Sequence, residues 1–139
     1  MKTVEIQTKG HTDIINITPK IQKIIDDEKV KNGVCHLFVI GSTASITTCE
    51  NDEQLFEDLK EVLQQIAPYK KNWRHHQTWG DDNGAAHIRA SLLGPNLCLP
   101  IENGKLILGT WQSIVLLDFD TGPRTRKIAI TFFKENEKS

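Results

Sequence analysis

Leu97-Cys98-Leu99-Pro100-Ile101-Glu102-Asn103-Gly104-Lys105-Leu106-Ile107-Leu108 decides the fold. Two apolar runs flank an Asn-Gly pair. That pair is the strongest short-range sign of a hairpin, because both residues tolerate the positive φ of a tight turn. Downstream, Gly109-Thr110-Trp111-Gln112 leads into an apolar run at 113–119, a turn at 120–126 and a strand at 127–133. The last third therefore reads as antiparallel β. Upstream, Val4 and Ile6 alternate with Glu5 and Gln7, the mark of a half-buried strand. Lys9-Gly10 turns it into a second strand over 11–17, giving a hairpin. Thr18-Pro19 opens a helix with Thr18 as cap and Ile21, Ile24 and Ile25 as its apolar stripe, and Asn32-Gly33 ends it. Residues 34–40 form a central strand broken by Gly41-Ser42-Thr43-Ala44-Ser45, a bulge, a ligand contact or a plain turn, and the β pattern resumes at Ile46. Asn51 or Asp52 caps a helix with Leu55, Phe56, Leu59, Val62, Leu63 and Ile66 on one stripe, stopped by Pro68. Residues 69–84 are polar and loop-like. A short helix spans 85–93 with Ala85, Ile88 and Leu92 inward. The order implies one α+β domain, residues 1–139, with a largely antiparallel sheet and helices packed on it.

Composition narrows the function classes. With 38% hydrophobic and 25% charged residues the chain suits a soluble globular protein. A net charge of −1 gives no global field for nucleic acid. No apolar run approaches membrane-spanning length, and Met1-Lys2-Thr3 leads directly into a strand without a signal sequence. Cys35, Cys49 and Cys98 form no CxxC pair, which suits reduced thiols in the cytoplasm, each a small buried hydrophobe.

The chemistry concentrates in His75-His76-Gln77-Thr78-Trp79-Gly80-Asp81-Asp82-Asn83-Gly84-Ala85-Ala86-His87. Imidazoles, carboxylates and an amide are groups that move protons, hold metals and orient ligands. His75, Asp81 and His87 are spaced evenly at six, so no regular helix places them on one face. If the loop folds back they suit Zn²⁺ or metal-free acid–base chemistry. The spacing matches no standard zinc signature, and a polar surface loop is the alternative. Arg124 and Arg126 offer guanidinium clamps for phosphate, or stand at a strand end in solvent. Trp111 reads as core, Gln112 as the polar candidate beside it, and His36, inside an apolar run, as a satisfied core histidine.

Taken together, Gly41-Ser42-Thr43-Ala44-Ser45-Ile46-Thr47-Thr48-Cys49-Glu50, the stretch from His75 to Gly94, Gly109-Thr110-Trp111-Gln112, and Asp118 with Pro123-Arg124-Thr125-Arg126 resemble the YjbQ-like family, UPF0047, over nearly the whole chain. The resemblance implies a YjbQ-like α+β fold, a homotrimer, and a weak secondary thiamine-phosphate synthase activity, a transferase reaction on small phosphorylated metabolites. Mg²⁺ would bridge a pyrophosphate. Carried over by motif, His87, Asp81 and Asn83 are the catalytic candidates. Ser42, Thr43, Glu50, Gln112 and Arg124 are the ligand-binding ones, and His75, Asp81 and His87 the metal set. Many members begin the small-polar break with His-Thr-Thr or His-Thr-Ser, and many carry glutamate where Asp118 stands. Gly41-Ser42-Thr43 marks a second subgroup. Two other functions fit the same residues: a metal-dependent hydrolase or lyase, and a non-catalytic trimeric ligand-binding module.

Overall fold

Strand β7 (Ser113–Asp118) is buried at every position from Ile114 to Asp118, so protein covers both its faces. Ile114 and Leu116 enter one core, Val115 and Leu117 another. The computed structural model, which describes residues 1–80 and 82–136, builds three layers around this strand. The first is a five-stranded antiparallel sheet in the order β1 (Lys2–Thr8), β8 (Arg124–Lys134), β3 (Gly33–Ile40), β5 (Asn96–Glu102), β6 (Lys105–Leu106). The second is a three-stranded antiparallel sheet, β2 (Asp13–Asn16), β7 and β4 (Ala44–Cys49). Helix α1 (Thr18–Asp27) supplies Ile21 and Ile25 to the core between the sheets, alongside Leu37, Ile46, Ile128 and Ile130. Each such side chain, fully buried, stabilises by roughly 1.5–3 kcal/mol. Helices α2 (Glu53–Ile66) and α4 (Gly84–Leu93) close the far face of the second sheet through Leu63, Ala86 and Ala90.

The architecture is α+β and antiparallel as the pattern implies, but the strands pair differently. No β1–β2 hairpin forms. Strand β1 pairs with β8, from Lys2↔Ile130 to Thr8↔Arg124, while β2 pairs with β7. The cause is local. Gly10, His11 and Thr12 have φ of 84, 52 and 65°, a left-handed corner that carries the chain from one sheet to the other and shortens β2. A Cβ on Gly10 would lie 2.6 Å from the Gly122 carbonyl oxygen, so the corner also needs glycine for closeness. The break after Ile40 is a second such corner, because β3 and β4 belong to different sheets.

Other expectations shift by smaller amounts. Residues 74–79 are not loop but a helix, α3 (Arg74–Trp79), which Gly80 ends at φ 71°. Thr18 does not cap α1: Ile17 stands at the N-cap without a side-chain cap, and Asn16 Oδ1 accepts from the Thr18 amide and hydroxyl just ahead of it. Asp52 caps α2 by accepting from the Gln54 amide. On α2, Val62 and Ile66 are exposed; on α4, Leu92 is exposed and Ala86, Arg89 and Ala90 face inward. Trp111 is not core but 75% exposed. Gln112 closes its loop by accepting from the Gly109 amide and donating to Thr48, and the indole is left outside that turn. His36 is not core either. Strand β3 turns Cys35, Leu37 and Val39 inward, and His36 lies half-buried on the other face with Nε2 3.2 Å from the Asn96 amide nitrogen. Phe38, Ile40 and, on β8, Phe133 share that outer face and are exposed. Of the cysteines only Cys35 is buried, and burial pushes its thiol up to about 12. Burial also raises half-buried Cys49, so neither is a ready nucleophile. Among the described residues no helix is long and apolar enough to cross a membrane.

Arg89 is 1% exposed in α4, and no carboxylate among the described residues pairs with it. It caps the C-terminal end of α2, donating to the Ala67 carbonyl at 3.0 Å and to Gln64 Oε1 at 2.9 Å, where the helix dipole favours a cation. Its guanidinium also lies 4.0 Å over the Tyr69 ring and donates to Thr12 Oγ1, which bonds to the Tyr69 hydroxyl; that hydroxyl in turn donates to the Phe119 carbonyl.

Candidate functional site

Helices α3 and α4 are brought together at a glycine. A Cβ on Gly84 would stand 2.8 Å from Trp73 Cβ and 3.2 Å from His75 Cβ, so only glycine lets α3 approach the first turn of α4. The approach sets the His75 and His87 rings 4.5 Å apart, centroid to centroid, tilted by 40°. Both line a cavity of about 630 Å³ with Lys71, Trp73, Arg74, Gln77 and Ile88. Trp73 is fixed from both sides: its indole N–H donates to the Pro68 carbonyl, and Lys71 Nζ lies 4.4 Å over its ring. The α3–α4 connection is held by the Asp82 amide donating to His76 Nδ1. The cavity thus joins two imidazoles, an ammonium and a guanidinium at the start of a ten-residue helix, surroundings that favour an anion.

Beyond Asn83, the residue preceding α4, lies a buried knot of charge. Asp118 accepts from Arg126 Nε at 2.8 Å and Nη2 at 2.9 Å, a bidentate pair, and also from the Thr8 hydroxyl and the Asp120 amide. Asp120 accepts from Thr43 Oγ1 at 2.9 Å, Asn83 Nδ2 at 3.4 Å and the Thr121 amide, and forms an ion pair with Arg124 Nη2 at 3.1 Å. Burial alone would raise both carboxyls. For Asp118 the bonds from Arg126 and Thr8 win, and for Asp120 those from the Thr121 amide and Thr43, so both end below the usual aspartate range. The knot ties β1, β7, β8, the β3–β4 corner and the start of α4 into one unit.

Of the sequence candidates, the fold brings His75 to His87, and brings Thr43, Asn83 and Arg124 together around Asp120. Ser42 is exposed beside Thr43. Asp81 lies outside the described residues. Gln112 and Glu50 stand elsewhere. The β4–β7 ladder runs from Ala44↔Asp118 to Cys49↔Ser113, which separates its ends by roughly 17 Å. Gln112 bonds at the far end, to Thr48, and Glu50 is exposed just beyond it. Sequence reasoning left Asp118 and Asp120 without chemical roles, read Arg126 only as a phosphate clamp or a solvent-exposed strand end, and passed over Lys71, Trp73 and Arg74. For two of them a signal exists. Arg126 is in phase with Ile128 and Ile130, and Asp118 with Ile114 and Leu116, so both continue buried stripes.

For a metal, the described residues offer two imidazoles and no group of three or more His, Cys, Asp or Glu. Zinc sites keep at least three protein ligands, so the described residues alone do not fit one. Nor do Asp118 and Asp120 suit Mg²⁺, since their oxygens are already engaged by protein donors and by the Arg124 ion pair.

Comparison with known proteins gives one answer. Residues 2–135 match the family model described as UPF0047 protein YjbQ-like. A UPF0047 protein of Methanocaldococcus jannaschii is 38% identical over 127 residues, covering 91% of this chain and 88% of that one. One from Archaeoglobus fulgidus is 34% identical, covering 90% and 94%. Among solved structures, a protein described as YbjQ-like and of unknown function from Sulfolobus solfataricus superposes with a TM-score of 0.87 at 31% identity, covering 96% and 97%. A YjbQ/UPF0047 protein of Clostridium acetobutylicum gives 0.87 at 34%, covering 96% and 100%.

Proposed function

The chain belongs to the UPF0047 YjbQ-like family, and from that premise we propose that the cavity between α3 and α4 is the centre of an enzyme site for a small phosphorylated metabolite, with thiamine-phosphate synthesis as the nameable reaction. The observation that carries this reading is the pairing of His75 and His87 in a cavity walled by Lys71 and Arg74. In that reaction a thiazole nitrogen forms a bond to the pyrimidine methylene as the bond from that carbon to pyrophosphate breaks. Charge grows on the leaving pyrophosphate, and the two cations stand where they can meet it. His87 is the acid–base candidate, with Asp81 orienting it and Asn83 holding the start of α4 against Asp120. Ser42 and Arg124 bind the second polar end of the ligand, and Thr43, whose buried hydroxyl is committed to Asp120 and Arg126, holds those two in place behind them. Glu50 and Gln112 would join the site only through a second copy of the chain. A metal bridging the pyrophosphate would arrive with the substrate.

Purified protein given Mg²⁺ and both substrates is expected to form thiamine phosphate, and His87→Ala to slow turnover by about 100-fold or more. No product from the wild type, or an unchanged rate in His87→Ala, refutes the reading. Saturable binding of the substrates without turnover would instead favour a binding module.

The assembly proposed with this function is a homotrimer. Supporting it, Phe38, Ile40 and Phe133 leave an apolar stretch on the outer face of the five-stranded sheet, and a second copy would cover it. Phe38→Lys should shift light-scattering mass from three chains toward one. A wild type that runs as a monomer at micromolar concentration refutes the assembly.

A further inference from the structure

The carboxylates of the buried knot are taken up, and its unmet polar groups are the acceptor Asn83 Oδ1 and guanidinium donors of its arginines. Both oxygens of Asp118 and Oδ1 of Asp120 take two hydrogen-bond donors each, and Asp120 Oδ2 takes the Thr43 hydroxyl and the Arg124 ion pair. Arg126 uses Nε and both hydrogens of Nη2, on Asp118 and on Thr43, and is only 8% exposed. Among the described residues no acceptor bonds its Nη1. That nitrogen lies against the backbone of Gly41, where a Cβ would come within 2.6 Å of it. Gly41 and Ser42 are exposed, so the position opens to the surface. Arg124, 55% exposed and anchored to Asp120 through Nη2 alone, stands on the same knot with other guanidinium hydrogens to give. We propose that Arg126 Nη1 and Arg124 form an oxyanion subsite for a phosphate group, and that Gly41 is its gatekeeper.

Gly41 is required twice over. Its φ of 151° lies where side chains are strained, and any side chain would collide with a guanidinium that Asp118 and Thr43 pin in place. A residue other than glycine at this position closes the subsite, which makes position 41 a determinant of ligand choice. The inference deepens the reading of a site for phosphorylated metabolites, and its test reads binding rather than turnover.

Inorganic phosphate titrated into ¹⁵N-labelled full-length protein should move the amide signals of Gly41 and Ser42 and the side-chain Nε signals of Arg124 and Arg126, saturably and with one dissociation constant. Gly41→Ala and Arg126→Lys should each weaken that binding by about tenfold or more, as should Arg124→Gln, whose half-exposed side chain leaves the fold intact. His87→Ala should leave these shifts in place while turnover falls. Shifts confined to residues 84–88 overturn the subsite and leave the cavity reading standing. Shifts at Gly41 and Ser42 that persist at wild-type affinity in the folded variants overturn it too. Loss of turnover in His87→Ala without any phosphate response at Gly41 supports the reaction and refutes the subsite.

Discussion

Replacing Asp118 with asparagine lowers the folding free energy by about 3–5 kcal/mol, because it leaves Arg126 charged, buried and without its bidentate partner. Domains of this size hold only about 5–15 kcal/mol in all, so the variant sits near its unfolding limit. Urea unfolding at neutral pH measures the loss, and a change below 1 kcal/mol would mean that the knot does not hold the sheets together. The same carboxyls predict an acid limb. Their folded pKa values are depressed, so their contribution is complete above the unfolded value of about 3.9 and is lost as pH falls through the folded values. The melting temperature of the wild type should therefore drop below about pH 4, and the drop should be shallower in Asp118→Asn, which has one of these groups fewer to titrate.

Arg89→Ala is the second large effect, at about 3–4 kcal/mol. The truncation opens a void under Tyr69 and leaves the Ala67 carbonyl, Gln64 Oε1 and Thr12 without their donor. Burial lowers the pKa of Arg89, opposed by Tyr69, so the cation is stabilised by helix-end carbonyl, amide and ring rather than by a counter-charge. Arg89→Met refills the volume and should recover part of the loss. Equal destabilisation of the two variants would assign the whole effect to the hydrogen bonds, and near-wild-type stability of Arg89→Ala would refute the account.

The elements that followed from sequence are those whose signal is local. Asn103 and Gly104 have φ of 51 and 78°, as a tight hairpin turn demands, and join β5 to β6. Alternation located β1, and an apolar run located β3, for the same reason. Pairing was not legible where it depends on corners. The strand signals on either side of Gly10 look like a hairpin, and the break at Gly41 like a bulge, a ligand contact or a plain turn, until the left-handed backbone at each corner sends the chain into the other sheet. In the site, the meeting of His75 and His87 rests on α3, whose Arg-His-His-Gln-Thr-Trp sequence has no apolar stripe, and on the missing Cβ of Gly84. Arg126 was hidden by the habit of placing arginine in solvent, although its phase with Ile128 and Ile130 points inward.

The sheet order carries a consequence for the order of assembly. Strand β8 lies between β1 and β3, so among the described residues β1 has its one sheet partner in β8, more than a hundred positions further along the chain. During translation β1 can pair with nothing in its own sheet until β8 emerges, whereas β2, β4 and β7 are complete before then. The middle sheet and its helices can therefore form first. The five-stranded sheet closes last, at the cost of ordering a loop that spans nearly the whole chain. Until it closes, Leu37 and Val39 of β3 lack Ile128 and Ile130 beside them, and β1 is the strand most open to pairing with a neighbouring nascent chain.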